Sequence, residues 1–344
     1  MRAETHRIVL TPTHPFRIAR SEHRTYEHWL VRLEHEGDEG WGEAAPSRRY
    51  GETAASVEAA LGELLPLVGD DPYALDRIES RLNGHLWENA SAKTAISMAL
   101  HDLLGRRHGL PLYRWLGLDL DRVPATSFTI GIDEPGRMRE KVAEAERYPI
   151  LKIKLGFEGD RAVLETIRGA TDKPIRVDAN EGWSRRQALA RIPVLEDLGV
   201  ELLEQPVRAS DREGLAMVAA ATDIPVVADE ACRTSADLAD LLGVVDVVNV
   251  KLAKCGSILE AVRLMTGARA LGFGVFLGCM VESSLGIAAA AHLAPLADYV
   301  DLDGHLLLAD DPWAGLRFLE GRVLPDAERP GLGVLPVTER VPAG

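Results

Sequence analysis

The sequence predicts an α/β protein: a (β/α)₈ barrel, preceded by an α+β unit to which the last residues return. Three observations predict it. From about residue 124, short β-rich runs alternate with amphipathic helical stretches, the crossover arrangement that parallel strands require. A polar or small residue stands near the end of each run, at Thr129, Lys154, Asp178, Glu204, Asp229, Lys251, Cys279 and Asp301. Their intervals are 25, 24, 26, 25, 22, 28 and 22 residues, a period that calls for a repeating unit. The third observation is length. At about 150 residues per domain, 344 residues make two domains, or one large barrel with an extension.

The N-terminal unit is expected over residues 1–120. EHWLVRLE (27–34) alternates as a strand does, and GDEGWGEA adds a turn and a second strand. Helical stretches follow at 53–68, 73–84 and 90–109, the last closed by a glycine stop signal. Strands followed by helices make an α+β unit. The barrel is expected over 121–310, with strands in SFTIGI, ILKIKLG, PIRVDAN, VELLEQP, IPVVADE, VVDVVNVKL, FGVFLGC and YVDLDG. A doubly wound open sheet is the runner-up. It does not need eight similar units, and no GxGxxG opens a helix. The tail, 311–344, reads as turns and short strands that return to the N-terminal unit.

Composition narrows the function classes. Apolar residues make up 46% and charged residues 27%, the proportions of a soluble globular protein and not of a disordered, fibrous or disulfide-stapled one. The net charge of −14 repels phosphate backbones, which argues against nucleic acid or anionic membrane as a general partner. The apolar runs break at Asp246, His292 and Pro295, short of a membrane span. The N-terminal residues lack the apolar core of a signal peptide. Cys232, Cys255 and Cys279 are an odd number without CxxC spacing, as expected of reduced thiols in a cytoplasmic protein.

Charges at barrel strand ends carry the chemistry, because those ends point into the mouth where catalytic groups collect. Lys152 and Lys154 lie two apart in LKIKLG and so project to the same side of one strand. An isolated KxK is more often a solvated edge strand; the barrel context reverses that. Two adjacent ammonium groups disfavour each other, which predicts that one has a lowered pKa and can act as a base. Asp178, Glu204 and Asp229 end three successive strands. Neighbouring strands lie about 5 Å apart, so the carboxylates converge and require a divalent cation. All-oxygen ligation without His or Cys points to Mg²⁺. Three separate ion pairs to helix-borne arginines are the competing reading, disfavoured by the same device on three consecutive strands. Lys251 ends the sixth strand, four away from that of Lys154, so the two face each other across the mouth. Lys254 is read as structural or supporting.

At these residues the sequence resembles the enolase superfamily, in its muconate-lactonising-enzyme subgroup. The motifs are KIK (152–154), DAN (178–180), EQP (204–206), ADE (228–230) and NVK (249–251), in order and at barrel spacing. GWGEAAP (40–46) and YGET (50–53) look like the subgroup's capping domain. The resemblance implies a modified TIM barrel under an α+β cap built from both chain ends. It also implies abstraction of the α-proton of a carboxylate substrate, with the enediolate held on one Mg²⁺. DLD, with Asp301 and Asp303, resembles the DxD signature by which dipeptide epimerases bind the substrate's α-ammonium, and GCMVES (278–283) is similar to their seventh-strand segment. Thr129 matches a threonine of similar epimerases. A metal on the carboxylate and a lysine on each face together allow 1,1-proton transfer.

The implied activity is Mg²⁺-dependent epimerisation of a dipeptide at its C-terminal residue, with Lys154, Lys251 and Lys152 as the catalytic residues. Two cap loops, 16–26 and 47–53, are expected to close over the mouth with Arg17, Arg20, His23, Arg24, Arg48, Arg49, Tyr50 and Glu52. RRYGE resembles the loop of Ala–Glu epimerases, so an arginine, Arg24 being the candidate, is expected to bind an acidic side chain of the substrate. The partner is therefore a small dipeptide, and the protein is expected to be a homo-oligomer. An N-acylamino-acid racemase or o-succinylbenzoate synthase shares the lysines and the metal, and DxD argues against both, as it does against a muconate-type cycloisomerase. A pyridoxal-phosphate barrel racemase and a non-catalytic barrel account for fewer of the residues.

Overall fold

The computed structural model describes residues 1–337. Five strands open the chain: β1 (Arg2–Leu10), β2 (Phe16–Ile18), β3 (Ser21–His23), β4 (Tyr26–His35) and β5 (Asp38–Ala44). β1, β4 and β5 form an antiparallel sheet in that order, and β2 pairs with β3 as a separate hairpin. β1 carries little sequence signal because most of its side chains stay at the surface; its pairing with β4, from Arg2↔Glu34 to Leu10↔Tyr26, makes it a strand. Helices α1 (Ala54–Leu64), α2 (Leu75–His85) and α3 (Ala90–His108) follow; α2 and α3 lie within two residues of the predicted limits, and α1 ends four residues short, at Leu64. Thr53 and Ser56 close a capping box at the start of α1.

α3 lies directly on β5. An added Cβ at Gly42 would stand 1.9 Å from the Ala95 carbonyl oxygen, and one at Gly40 2.1 Å from that of Ala99. The two glycines let helix and strand backbones touch, and Val31, Leu33, Ile96 and Leu100 fill the space around them.

The eight barrel strands are β6 (Ser127–Ile130), β7 (Ile150–Lys154), β8 (Ile175–Asp178), β9 (Val200–Glu204), β10 (Val226–Ala228), β11 (Val247–Val250), β12 (Gly274–Leu277) and β13 (Tyr299–Val300). They pair sequentially, all parallel, and a Thr126↔Val300 bridge joins the last strand to the first. The barrel is therefore nearly closed. Leu202, Val227, Val247 and Phe276 fill its interior.

The chain's last strands are β14 (Trp313–Ala314), β15 (Arg317–Leu319), β16 (Arg322–Leu324) and β17 (Leu335–Pro336). They return to the N-terminal unit: Trp313 packs edge-on against Trp41 at 5.4 Å, and the Leu332 amide donates to Asp102 on α3. The end of the tail segment read from sequence, residues 338–344, lies outside the described residues. Among those described, no helix is long and apolar enough to cross a membrane.

Candidate active site

Register builds the site. Lys154 pairs with Asp178 across β7 and β8, and Asp178 with Glu204 across β8 and β9, so three charges stand in one row at the strand tips. On β10, Val227 and not Asp229 pairs with Glu204. The strand stops at Ala228, and Asp229 lies one residue beyond it. Lys251 and Asp301 also lie one residue past their strands, and Cys279 two past β12. The predicted period is real, but only the first half of the ring keeps its charges on regular strand.

Asp178, Glu204 and Asp229 each offer an oxygen within 4.8 Å of the others, and all three are buried. Three convergent carboxylates with no nitrogen or sulfur donor fit a hard divalent cation such as Mg²⁺. Each carboxylate also has an ammonium beside it. Lys154 Nζ is 2.6 Å from Asp178 Oδ2, Lys152 Nζ 2.7 Å from Glu204 Oε2, and Lys251 Nζ 2.7 Å from Asp229 Oδ2.

These contacts show that Lys152 is not the lysine of lowered pKa. Burial alone would lower the Lys152 pKa, as would a second lysine nearby, but Asp301, Glu204 and Asp178 outweigh both and raise it well above the ordinary value. Lys251 is likewise raised, the Asp229 and Glu204 charges overcoming its burial. Carboxylates surround Lys152, and their summed charge outweighs its burial. Among the acids, burial would raise Asp178, but Lys154 and Lys152 hold it at about 2. Burial and the neighbouring Asp178 raise Glu204.

The eighth-strand pair divides its contacts. Asp301 accepts from Ser127 Oγ at 2.6 Å and Lys152 Nζ at 2.9 Å, while Asp303 accepts from the Thr129 amide at 2.6 Å. Burial and the Asp301 charge push Asp303 up to about 7. Thr129 thus joins the site at Asp303, through its amide and its side chain. Arg24 does not join it: its side chain is 79% exposed, pairs with Glu22 at 3.7 Å and does not line the cavity. Ser21, His23 and Thr25 line the cavity while the alternate residues Glu22 and Arg24 do not, as an extended chain places them.

Sequence reasoning missed the groups that hold these residues. Asn249 donates to Glu204 at 2.8 Å, and Asn180 to Asp178. Gln205 accepts from the Asp229 and Ala231 amides, standing in for the ladder that ends at Ala228. Lys254, read as supporting, donates to Asp229 and to the Cys232 and Asn249 carbonyls. DAN, EQP and NVK contain three of the four, so the signal was present without a role.

The cap completes the enclosure. The Ile132 amide donates to the Arg17 carbonyl, Arg20 reaches Glu230 at 2.7 Å, and Arg49 holds Glu181 through two bonds. A cavity of about 750 Å³ remains between cap and barrel, lined by Lys152, Lys154, Lys251, Asp229, Asp301 and Asp303 below and by both cap loops above. The arrangement can hold a small carboxylate beside a metal with an ammonium group on either side.

Comparison with known proteins agrees with this geometry. Residues 2–117 match the mandelate racemase/muconate lactonizing enzyme N-terminal domain, and residues 137–340 the enolase C-terminal domain-like family. The chain is 39% identical over 326 residues to an L-Ala-D/L-Glu epimerase of Bacteroides thetaiotaomicron, covering 94% of this chain and 85% of that protein. Among solved structures it superposes on the substrate-liganded L-Ala-D/L-Glu epimerase of Bacillus subtilis with a TM-score of 0.92 at 34% identity, covering 98% of both chains. The dipeptide epimerase of Enterococcus faecalis, complexed with Mg and L-Leu-L-Tyr, gives 0.91 at 34% identity over 96% of this chain and 98% of that one. The chain belongs to the mandelate racemase/muconate lactonizing enzyme family of the enolase superfamily and is an isomerase of that fold.

Proposed function

We propose that this protein is a Mg²⁺-dependent dipeptide epimerase that inverts the α-carbon of the C-terminal residue, with L-Ala-D/L-Glu or a related dipeptide as substrate. The observation that carries the proposal is the placement of Lys154 and Lys251 on strands four apart in the ring, with the carboxylate trio between them. A Mg²⁺ held by Asp178, Glu204 and Asp229 would supply Lewis-acid stabilisation of the charge that develops on the substrate carboxylate. Lys152, buried beside that site, contributes a second positive charge. Lys154 takes or returns the α-proton on one face and Lys251 on the other. Asp303, with Asp301 beside it, pairs with the substrate's free ammonium, and the Thr129 amide fixes Asp303 toward it. The enzyme is proposed to work in the cytoplasm as a homo-oligomer.

The test is mass spectrometry in D₂O with Mg²⁺ and a panel of dipeptides and their N-acylated counterparts. Each inverted substrate gains one deuterium. Exchange of free dipeptides above their N-acetyl and N-succinyl-amino-acid counterparts is expected. Faster turnover of the acylated compounds would replace this reading with the N-acylamino-acid racemase one.

A further inference from the structure

Between β8 and β9 the pairing slips by one residue. Ile175 pairs with Val200, but the next residue, Arg176, pairs with Leu202, and the shifted register then runs on to Asp178↔Glu204. Glu201 is therefore the extra residue of a β-bulge. Its backbone is not left-handed, so the bulge owes nothing to glycine-like freedom. The consequence for the mouth follows from strand alternation, because a slip of one residue moves each side chain to the other face of the sheet. Continued from Ile175↔Val200 without the bulge, the pairing would set Leu203 opposite Asp178 and turn Glu204 out of the row of charges. With the bulge, Leu202 lies in the barrel interior and Glu204 stands beside Asp178, 2.7 Å from Lys152 Nζ.

The side chain of the extra residue is what holds the bulge. Arg176 Nε donates to Glu201 Oε2 at 2.8 Å, and Arg176 Nη1 donates to the Val300 carbonyl on β13 at 2.9 Å. The guanidinium lies against Phe276 of β12 and Tyr299 of β13, 5.6 and 5.3 Å from the ring centroids. One side chain thus ties β9 to β12 and β13 two residues below Asp178. Phe276 also meets the Lys152 ammonium at 5.3 Å, so this layer and the charged row share a ring. Arg176 is 4% exposed, and among the described residues Glu201 is the carboxylate within ion-pair distance of it. Parting them would strand a buried cation, so Glu201 stays, and the extra residue with it.

We propose that Arg176 and Glu201 are positioning residues of the metal site: their pair locks the β9 bulge and so sets Glu204 in the row of ligands. Neither lines the cavity. The proposal rests on Asp178, Glu204 and Asp229 as Mg²⁺ ligands and assigns what fixes one of them. Asn249 and Lys152 hold the Glu204 carboxylate at its own level, whereas the bulge decides from which face of β9 it projects.

The test is calorimetric Mg²⁺ binding to the full chain, alongside thermal unfolding. Arg176→Met combined with Glu201→Leu removes the pair without stranding a charge, so the unfolding temperature is expected to stay close to that of the wild-type protein. Mg²⁺ affinity is nevertheless expected to fall by about 10- to 100-fold. Glu201→Ala is expected to lower both, and Glu201→Gln, which still accepts from Arg176 Nε, to keep most of the Mg²⁺ affinity. A pair that served stability alone would move the unfolding temperature and leave Mg²⁺ affinity in place. Mg²⁺ binding of wild-type strength in the double variant and in Glu201→Ala would overturn the inference and leave the metal and the epimerase readings intact. A wild-type protein that binds no Mg²⁺ would overturn the metal reading and this inference together. One that binds Mg²⁺ and exchanges no dipeptide would overturn the epimerase alone, since the affinities of the variants still decide the role of the pair.

Discussion

The seam between β5 and α3 and the mouth of the barrel are both deeply buried, yet opposite forces hold them. At the seam the backbones themselves touch, Gly40 and Gly42 leave the space for it, and the buried Asp102 carboxylate of α3 is met by the Trp41 amide and by Arg106. At the mouth, carboxylates and ammonium groups alternate within 2.6–2.9 Å, and each is tolerable only because its neighbour is charged. The seam cannot accept an added atom, whereas at the mouth Lys152 is shared among Glu204, Asp301 and Asp178, so one carboxylate can be neutralised without leaving it alone. The fold is therefore secured in the cap and chemistry is concentrated where stability is least favoured.

Glu204→Gln makes the largest expected break in that contrast. Glu204 is the trio's member that burial and Asp178 raise, so neutralising it relieves repulsion while removing a candidate metal ligand. Turnover is expected to fall by at least about 10³-fold and calorimetric Mg²⁺ binding to disappear, while Tm holds or rises. Exhaustive chelation of the wild-type protein is expected to be equally inactivating; full activity after chelation would remove the metal from the mechanism.

Lys251→Ala comes next. Inversion is expected to drop by about 10²- to 10⁴-fold in both directions. Proton exchange without inversion is expected to survive for one epimer, because Lys154 still serves its own face. Normal epimerisation by this variant would refute the assignment of one lysine to each face.

At the seam, Gly42→Ala is expected to cost about 1–3 kcal/mol, since its Cβ would meet the Ala95 carbonyl at 1.9 Å and the helix must shift. Thermal unfolding measures the loss, and kcat per folded molecule is expected to stay unchanged. A variant that lost kcat but kept Tm would show that seam and mouth are not separable.

The smallest effect sharpens the comparison where the two regions meet. Glu282 is buried beside Glu43, and burial first, the Glu43 charge second, raise its pKa from 4.5 to about 7. The native state therefore holds a proton that the unfolded chain releases, and stability falls as pH rises from about 4.5 to about 7. Glu282→Gln is expected to remove up to about 3 kcal/mol of that fall, gaining stability at pH 8 and little at pH 4.5. An equal Tm change at both pH values would contradict the sign.

Much of this was legible in the chain because it is local. The alternation of Lys152 and Lys154, the charges every 22 to 28 residues and the glycine after α3 each follow from periodicities of two and 3.6 residues or from a single stop signal. These determined the barrel, the order of charges around it and the strands that bear them. The same local reading missed β1, whose exposed side chains leave only its pairing with β4 to define it.

What the tertiary structure alone decided depends on ring closure and on how the cap docks. Lys152 is 149 residues from Asp301 in sequence, and their 2.9 Å contact exists only because the eighth strand lies beside the first. That contact, with Glu204 and Asp178, raises the Lys152 pKa although its burial acts the other way. Likewise Arg24 and Arg48 stand in one list of loop arginines, with Arg24 the candidate. Only the folded cap shows that Arg24 pairs with Glu22 away from the cavity while Arg48 is among the residues that line it. Sequence pattern encodes the geometry of neighbours along the chain, whereas the field at a buried charge is set by whichever distant groups closure brings within a few ångströms.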